Sequence, residues 1–235
     1  MTAAIFKHAS LLTSPWWGGR RAKRSNLPTR ERLFFAFVVA LFIASPVSAA
    51  PIKILALGTS LTQGYGLPPG TEYPAVLEDK LKAAKIDAKV INAGVSGDTS
   101  AGGASRIDWS LADHPDVAIV ELGSNDALRG LRPAQTEKNI AAVLEKLKAA
   151  HIPVLLLGMK APRNLGPEYA AEFDPIYPRL AKKYGAALYP FVLDGVAMDP
   201  KLNQADGMHP NPQGVKIIVA HLLPYVKKLL GQKRP

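Results

Sequence analysis

From residue 50 onward, short apolar runs alternate with amphipathic segments. The runs rich in Ile, Val and Leu are residues 52–57, 88–91, 117–122 and 154–157, with a fifth near 187–189. The segments between them carry apolar residues at helical spacing, such as Ile140, Val143, Leu144 and Leu147 behind Pro133. Near-continuous apolar strands that alternate with helices are typical of an α/β fold with a buried parallel sheet. We therefore predict a three-layer αβα sandwich, flavodoxin-like, with about five parallel strands.

The C-terminal segment predicts one further helix. Asn211 is a suitable N-cap, Pro212 suits the first helical position, and Pro224 should kink or interrupt the helix. Residues 50–235 show no internal repeat, so a single domain is expected there.

The first 49 residues have a different pattern. Seven Lys and Arg residues precede an apolar run over residues 33–44, which is short compared with the roughly 20 residues of a membrane span. Pro46 and small residues up to Ala49 then resemble a cleavage site. We predict a signal peptide over residues 1–49 and export to the periplasm or the medium. An uncleaved anchor over residues 33–50 is the alternative.

The leader also accounts for most of the positive charge. Its seven basic residues and Glu31 give a net +6 of the chain's +10, which leaves +4 for the remainder. Because nucleic-acid binding calls for a clustered basic face, no nucleic-acid partner is expected. The chain has no cysteine, so disulfides, thiolate metal ligands and a cysteine nucleophile are excluded.

Ligands of open parallel sheets lie beyond the carboxyl ends of the strands. Four segments that follow predicted strands or precede the last helix carry reactive residue types, namely residues 58–61, 96–100, 123–126 and 206–210. In the first of them, Ser60 follows Gly58 where a helix should begin. The positive end of a helix would favour an oxyanion at this serine. Taken alone, Ser60 also fits a helix cap.

Asp206 and His209 lie three residues apart in a turn-rich segment. A nucleophilic serine needs an imidazole as general base, and the imidazole needs a carboxylate that fixes its tautomer. Taken alone, the pair also fits a surface turn or a two-ligand metal site.

Gly97 and Asn125 are candidate donors to a developing oxyanion. The Gly97 amide has no side chain beside it, the Asn125 side chain carries N–H groups, and the Ser60 amide would be a third donor. Taken alone, they also fit a turn glycine and a capping asparagine.

These four segments together resemble the SGNH (GDSL-type) hydrolases. That family has a Ser in Gly-Asp-Ser-Leu, a Gly, an Asn in Gly-x-Asn-Asp and an Asp-x-x-His near the C-terminus. The chain after the leader matches in order and spacing at Ser60, Gly97, Asn125 and the pair Asp206 and His209. Residues 92–100, 120–123 and 128–131 are similar to the small periplasmic branch, which combines arylesterase, acyl-CoA thioesterase and lysophospholipase activities. Thr59 departs from the pattern, because the family usually has Asp there.

The resemblance implies a serine hydrolase of esters and thioesters with a Ser60, His209 and Asp206 triad. The oxyanion donors would be Ser60, Gly97 and Asn125, and no cofactor or metal would be needed. Asp126, Pro162 and Arg163 are expected to contact the small-molecule substrate. Lys160 and Arg163 could favour anionic head groups, although a solvated pair is the simpler interpretation. A monomer is expected, with the membrane contacted only through an uncleaved N-terminal segment.

Two alternatives remain open at this point. A carbohydrate or peptidoglycan O-acetyl esterase would carry the same four blocks. A non-catalytic lipid-binding module could keep the pocket without turnover.

Overall fold

The computed structural model describes residues 50–231, so the predicted leader lies outside the described residues. The strands are β1 (Ile52–Gly58), β2 (Ala88–Gly94), β3 (Val117–Val120), β4 (Val154–Leu157) and β5 (Ala187–Tyr189). The helices are α1 (Ser60–Gln63), α2 (Tyr73–Ala83), α3 (Ser100–Ser110), α4 (Ser124–Leu128), α5 (Pro133–Ala149), α6 (Gly166–Phe173), α7 (Ile176–Tyr184) and α8 (Pro212–Gly231). Short 3₁₀ turns cover Leu111–Asp113 and Arg163–Leu165.

The five strands form one parallel sheet in the order β2-β1-β3-β4-β5, which confirms the predicted fold. The chain moves from β1 to β2 on one side and then returns to place β3 on the other side of β1. The carboxyl ends of β1 and β3 therefore flank the point where the strand order reverses, and that is where α/β sheets bind ligands.

Helices cover both faces of the sheet. On one face α2 packs against α8, and on the other α5 packs against α3 and α7. Leu55 of β1 and Ile119 of β3 are completely buried between these layers. Double coverage explains why the strands read as continuous apolar runs rather than as alternating ones. Within residues 50–231, no helix is both long enough and apolar enough to cross a membrane.

The prediction for the last helix was partly wrong. α8 continues as one helix from Pro212 to Gly231 with Pro224 inside it. An internal proline removes one helical hydrogen bond and costs about 3 kcal/mol. Leu222 and Val226, on either side of Pro224, are both buried in the core. Their burial stabilises the helix on both sides of the proline, so the helix is not interrupted.

Candidate active site

The loop after β1 places Ser60 at the edge of the sheet. Thr59 precedes α1, and Ser60 is the first helical residue, with only 9% of its surface exposed. A Cβ atom at Gly58 would lie 1.8 Å from the Thr62 hydroxyl oxygen and 2.8 Å from a carboxylate oxygen of Glu121. Glycine is therefore required at position 58 for the turn to close this tightly.

Ser60, His209 and Asp206 form a continuous hydrogen-bonded chain. The Ser60 Oγ lies 2.9 Å from His209 Nε2, and His209 Nδ1 lies 2.6 Å from Asp206 Oδ2. Ser60 and His209 are 149 residues apart in the sequence. This geometry allows the imidazole to accept the serine proton while the carboxylate holds the other ring nitrogen in its protonated form.

Asp206 is held in its ionised form by its own turn. Its Oδ1 accepts hydrogen bonds from the His209 amide at 3.0 Å and from the Met208 amide at 2.9 Å. The His209 amide and ring, followed by the Met208 amide, lower the pKa of Asp206 to about 2. The carboxylate therefore stays charged throughout the neutral range and can stabilise an imidazolium.

An aromatic ring lies against the histidine. The Tyr65 ring centroid is 4.9 Å from that of His209, with the planes tilted by 45°. The Tyr65 carbonyl accepts a hydrogen bond from Gln204 Nε2 at 2.8 Å, which ties the segment after α1 to the loop that carries His209.

A buried carboxyl group that the sequence analysis missed supports the serine loop. Glu121, directly after β3, is completely buried and accepts a hydrogen bond from the Thr59 amide at 2.8 Å. It also accepts from the Thr59 hydroxyl at 3.0 Å and from the Thr62 hydroxyl at 2.9 Å. Glu121 thus anchors Thr59, which departs from the family pattern and directly precedes Ser60, to the sheet. The sequence carried one signal for this group, a single acid at the end of an apolar run. Because Glu is almost never fully buried unless paired, such a position indicates that the carboxyl group has partners.

Burial raises the pKa of Glu121 to about 7, although the threonine hydrogen bonds oppose this shift. An exposed glutamic acid ionises near 4.5, so between these values the folded chain keeps a proton that the unfolded chain releases. The free energy of unfolding should therefore be highest below 4.5 and fall as the pH rises through about 7. Between about pH 5 and pH 8, the free energy of unfolding of the wild-type protein should fall by on the order of 3 kcal/mol because of Glu121. We expect this fall to be absent in Glu121→Gln, and urea unfolding at the two pH values measures it.

Glu78→Gln is the matched control. Burial opposes ionisation of Glu78, but hydrogen bonds from Lys82 and the Val90 amide outweigh it and lower the pKa of this carboxyl group. Its contribution to stability is therefore lost as the pH falls, the opposite sign from Glu121. An unchanged pH dependence in Glu121→Gln would contradict the assignment.

The loop after β2 is pinned to the loop after β3. Asn125 Nδ2 donates to the Asp98 carbonyl at 2.8 Å, and the Arg129 guanidinium donates to the Gly97 carbonyl at 2.7 Å. Gly97 has a φ of +77°, a conformation that favours glycine. Arg106, which the sequence analysis also missed, pairs with the Asp98 carboxylate at 2.8 Å and donates to the Gly58 carbonyl at 2.8 Å. These contacts fix Gly97 and Asn125 relative to the serine loop.

A cavity of about 480 Å³ opens beside the serine and the histidine. Its walls are mainly apolar, and its lining includes Ser60, Leu61, Asn125, Ala127, Leu128, Met159, Ala161, Pro162, Arg163, Phe191, Leu193, Met198, Met208 and His209. The volume falls within the usual range for small-molecule sites.

The expected substrate contacts divide into two groups. Pro162 and Arg163 line the cavity, as does Lys160, whose ammonium lies 4.9 Å from the Phe191 ring centroid. Asp126 was expected to contact substrate, but it is buried and does not line the cavity. It accepts hydrogen bonds from the Ser100 amide at 2.7 Å and the Ser100 hydroxyl at 2.5 Å. It holds the start of α3 because its side chain points into the packed region between helices.

The remaining histidines of the described chain, His114, His151 and His221, are exposed and do not line this cavity. Within residues 50–231, no group of three or more His, Asp or Glu side chains is placed to hold a metal ion.

A hydroxyl, imidazole and carboxylate chain at the switch point of a parallel sheet defines the class of α/β serine hydrolases. Comparison with known proteins identifies the family within this class. The chain belongs to the GDSL-like lipase/acylhydrolase family, whose model matches residues 56–217. This confirms the resemblance to SGNH hydrolases and the expected class of enzyme, a hydrolase of ester and thioester bonds.

Two relatives and one solved structure illustrate the similarity. The chain is 37% identical over 199 residues to "Esterase TesA" of Pseudomonas aeruginosa, covering 84% of this chain and 98% of that protein. It is 40% identical over 183 residues to "Thioesterase 1/protease 1/lysophospholipase L1" of Escherichia coli K12, covering 77% and 85%. The crystal structure of AlinE4, an SGNH-hydrolase family esterase, matches with 50% identity and a TM-score of 0.66, covering 77% of this chain and 98% of AlinE4.

Proposed function

We propose that the chain hydrolyses carboxylic esters and thioesters of apolar acyl or aryl groups through an acyl-enzyme on Ser60. The observation that carries this proposal is the contact of 2.9 Å between Ser60 Oγ and His209 Nε2 at the mouth of the apolar cavity.

In the acylation step, Ser60 Oγ attacks the carbonyl carbon of the substrate while His209 Nε2 takes the hydroxyl proton. The carbonyl oxygen becomes an oxyanion, and Asp206 stabilises the imidazolium through its bond to Nδ1. When the tetrahedral species collapses, the bond to the leaving oxygen or sulfur breaks, and His209 returns the proton to that atom. The product is an acyl ester of Ser60 and a free alcohol or thiol.

Hydrolysis of the acyl-enzyme repeats these steps with water as the nucleophile. His209 takes a proton from the water, the new oxyanion forms, and Ser60 recovers the proton as the carboxylic acid leaves. Three N–H groups are assigned to the oxyanion in both steps: the Ser60 and Gly97 amides and the Asn125 side chain. Asn125 can serve while it donates to the Asp98 carbonyl, because its amide nitrogen carries two hydrogens.

Asn125→Ala should lower kcat roughly a hundredfold or more, because it removes one oxyanion donor. The loss should fall on kcat rather than KM, since the interaction strengthens only in the transition state. Steady-state kinetics with a soluble aryl ester measure this. Asn139→Ala, which removes a donor to the Ser100 hydroxyl outside the cavity, is the control. A mutant with unchanged kcat would remove Asn125 from the oxyanion site.

The apolar walls of the cavity favour substrates with acyl or aryl groups over acetylated sugars. Leu128, Phe191 and Leu193 provide apolar surface, which favours a hydrocarbon group over hydroxyl-rich sugar. A panel of p-nitrophenyl esters, acyl-CoA thioesters and an acetylated sugar tests this preference. Higher kcat/KM for medium-chain esters and thioesters is expected. A strong preference for the acetylated sugar would favour the O-acetyl esterase instead.

Labelling by a fluorophosphonate tests the nucleophile itself. The wild-type protein should be labelled and Ser60→Ala should not. Absence of labelling and turnover in both proteins, with ligand binding intact, would favour a non-catalytic lipid-binding module.

We also propose that the protein is exported through its N-terminal leader and acts as a monomer without a cofactor. The leader pattern over residues 1–49 supports export. Mass spectrometry of protein recovered outside the cytoplasm should give an N-terminus at Ala50, whereas a retained leader would support the anchor.

A further inference from the structure

The Thr59 side chain connects the serine loop to the start of α4. Thr59 occupies the N-cap position of α1, where a threonine hydroxyl commonly accepts a hydrogen bond from a helix amide, yet its side chain makes no such bond. The hydroxyl oxygen instead lies 3.0 Å from Glu121 Oε1 and 3.3 Å from Ser124 Oγ. Because Thr59 is completely buried, bulk water cannot replace these partners. The hydroxyl of the residue before Ser60 is therefore directed across the site rather than along its own helix.

The chemistry of the three groups fixes the direction of these hydrogen bonds. An ionised Glu121 carboxylate can only accept, so the Thr59 hydroxyl donates to it. The oxygen of that hydroxyl keeps lone pairs, and the Ser124 hydroxyl can donate to one of them. Since burial raises the pKa of Glu121 to about 7, this arrangement belongs to the pH range above that value. A chain of hydrogen bonds thus runs from Glu121, at the end of β3, to the first residue of α4.

Two of the assigned oxyanion donors lie directly beside this chain of hydrogen bonds. The peptide group after Thr59 carries the Ser60 amide, and the carbonyl of that group accepts a hydrogen bond from the Gln63 amide at 2.9 Å. The position of Thr59 therefore sets the direction of the Ser60 N–H group. Ser124 directly precedes Asn125, and both residues line the cavity. The contact between the Thr59 and Ser124 hydroxyls therefore spans the gap between the segments that carry the two donors.

We propose that Thr59 is a positioning residue whose hydroxyl holds the Ser60 amide and the Asn125 side chain at the spacing that the oxyanion requires. Thr59 does not line the cavity, so it acts through its neighbours and not on the substrate. Oxyanion donors are effective only when they already point to the place where the charge develops, and a displacement of about 1 Å can cost about a hundredfold in rate. This inference rests on the proposed function, because the spacing matters only if an oxyanion forms.

Thr62 provides a matched control within the same network. Its hydroxyl donates to Glu121 Oε2 at 2.9 Å, and it is as completely buried as Thr59. Its other partner is the Tyr73 hydroxyl at 3.4 Å, so its hydrogen bonds lead to α2 rather than to α4. Thr59→Val and Thr62→Val each remove one hydroxyl donor from the same carboxyl group and keep a branched side chain. A purely structural role of Thr59 therefore predicts similar effects of the two substitutions.

Thr59→Val should lower kcat for a soluble aryl ester about tenfold at about pH 8 and change KM less than about twofold. A larger loss is not expected, because 3.3 Å is a long distance for two hydroxyl groups. Thr62→Val should lower kcat less than about threefold. Thr59→Ser keeps the hydroxyl and should restore most of the wild-type rate. Urea unfolding should show similar losses of stability in both valine variants, because each leaves Glu121 with one donor fewer.

A double-mutant cycle tests whether the effect passes through the asparagine. In the Asn125→Ala background, Thr59→Val should lower kcat by less than about threefold, because the donor that it positions is already absent. Ser124→Ala should lower kcat about as much as Thr59→Val does, and the combination of the two should add little, since both break the same contact.

Equal kcat values in Thr59→Val and Thr62→Val would overturn the positioning role, and so would an undiminished effect of Thr59→Val in the Asn125→Ala background. If the wild-type protein turns over the ester and Thr59→Val does so at the same rate, only the role of Thr59 is contradicted. If the wild-type protein shows neither turnover nor fluorophosphonate labelling, the proposed hydrolase is contradicted, and the role of Thr59 with it.

Discussion

Ser60→Ala is expected to reduce kcat for ester hydrolysis by about 10⁴-fold or more, with little change in the free energy of unfolding. Removal of the nucleophile in other serine hydrolases costs up to roughly 10⁶-fold, and the residual rate comes from the oxyanion donors and substrate binding. The Ser60 side chain makes its hydrogen bond to His209 and not to the Glu121 network, so its loss should leave the loop in place.

His209→Ala should cause a loss of similar size, because the two residues act as one unit and their effects are not additive. Stopped-flow and steady-state assays with an aryl ester measure both variants and the double mutant. Ser105→Ala and His221→Ala, at exposed or partly exposed positions outside the cavity, should retain wild-type rates. Near-full activity in His209→Ala would overturn the proposed general base.

Asp206→Asn is expected to lower kcat by about 10⁴-fold while the fold is retained, as the equivalent change does in a Ser-His-Asp protease. The amide group would present N–H hydrogens to His209 Nδ1, which now lies 2.6 Å from a carboxylate oxygen. The ring proton would then move to Nε2, and Nε2 could no longer accept the proton of Ser60.

The pH dependence of kcat in the wild-type enzyme provides a second measurement on Asp206. Because the pKa of Asp206 is lowered to about 2, its ionisation should not limit activity anywhere in the neutral range in the wild-type enzyme. Asp194→Asn, an exposed acid of the same long connection to α8, is the control and should have little effect. Similar kcat values in Asp206→Asn and the wild type would show that the carboxylate does not set the tautomer.

The residues that could be found from the sequence are those with a local signal. Ser60 follows a buried strand and a glycine, and Asp206 and His209 share one turn, so strand periodicity and spacing made them candidates. The resemblance to the SGNH hydrolases then implied their roles. The same periodicity predicted the five parallel strands. The interruption at Pro224 was wrong, because the rule for proline describes the helix alone and not the core on which α8 packs.

Other features have no local signal. Glu121 lies 59 and 62 residues from its threonine partners, and Arg106 reaches Gly58 across 48 residues. Asp126 follows the candidate oxyanion donor Asn125 and was expected to contact substrate, yet its carboxylate turns inward to Ser100. Only the packed helices α3 and α5 decide which way such a side chain points.

The sequence by itself determined the type of sheet through its periodicity, and it determined the order of the site segments. The roles expected of Ser60, His209 and Asp206 came from the resemblance of those segments to the SGNH hydrolases. The tertiary structure decided that Ser60 and His209, 149 residues apart, meet at 2.9 Å beside an apolar cavity. It also decided that Thr59 is held by the buried carboxyl group of Glu121. The physical reason is that parallel strands bring their carboxyl ends together, so distances across that edge depend on strand order and packing rather than on separation along the chain.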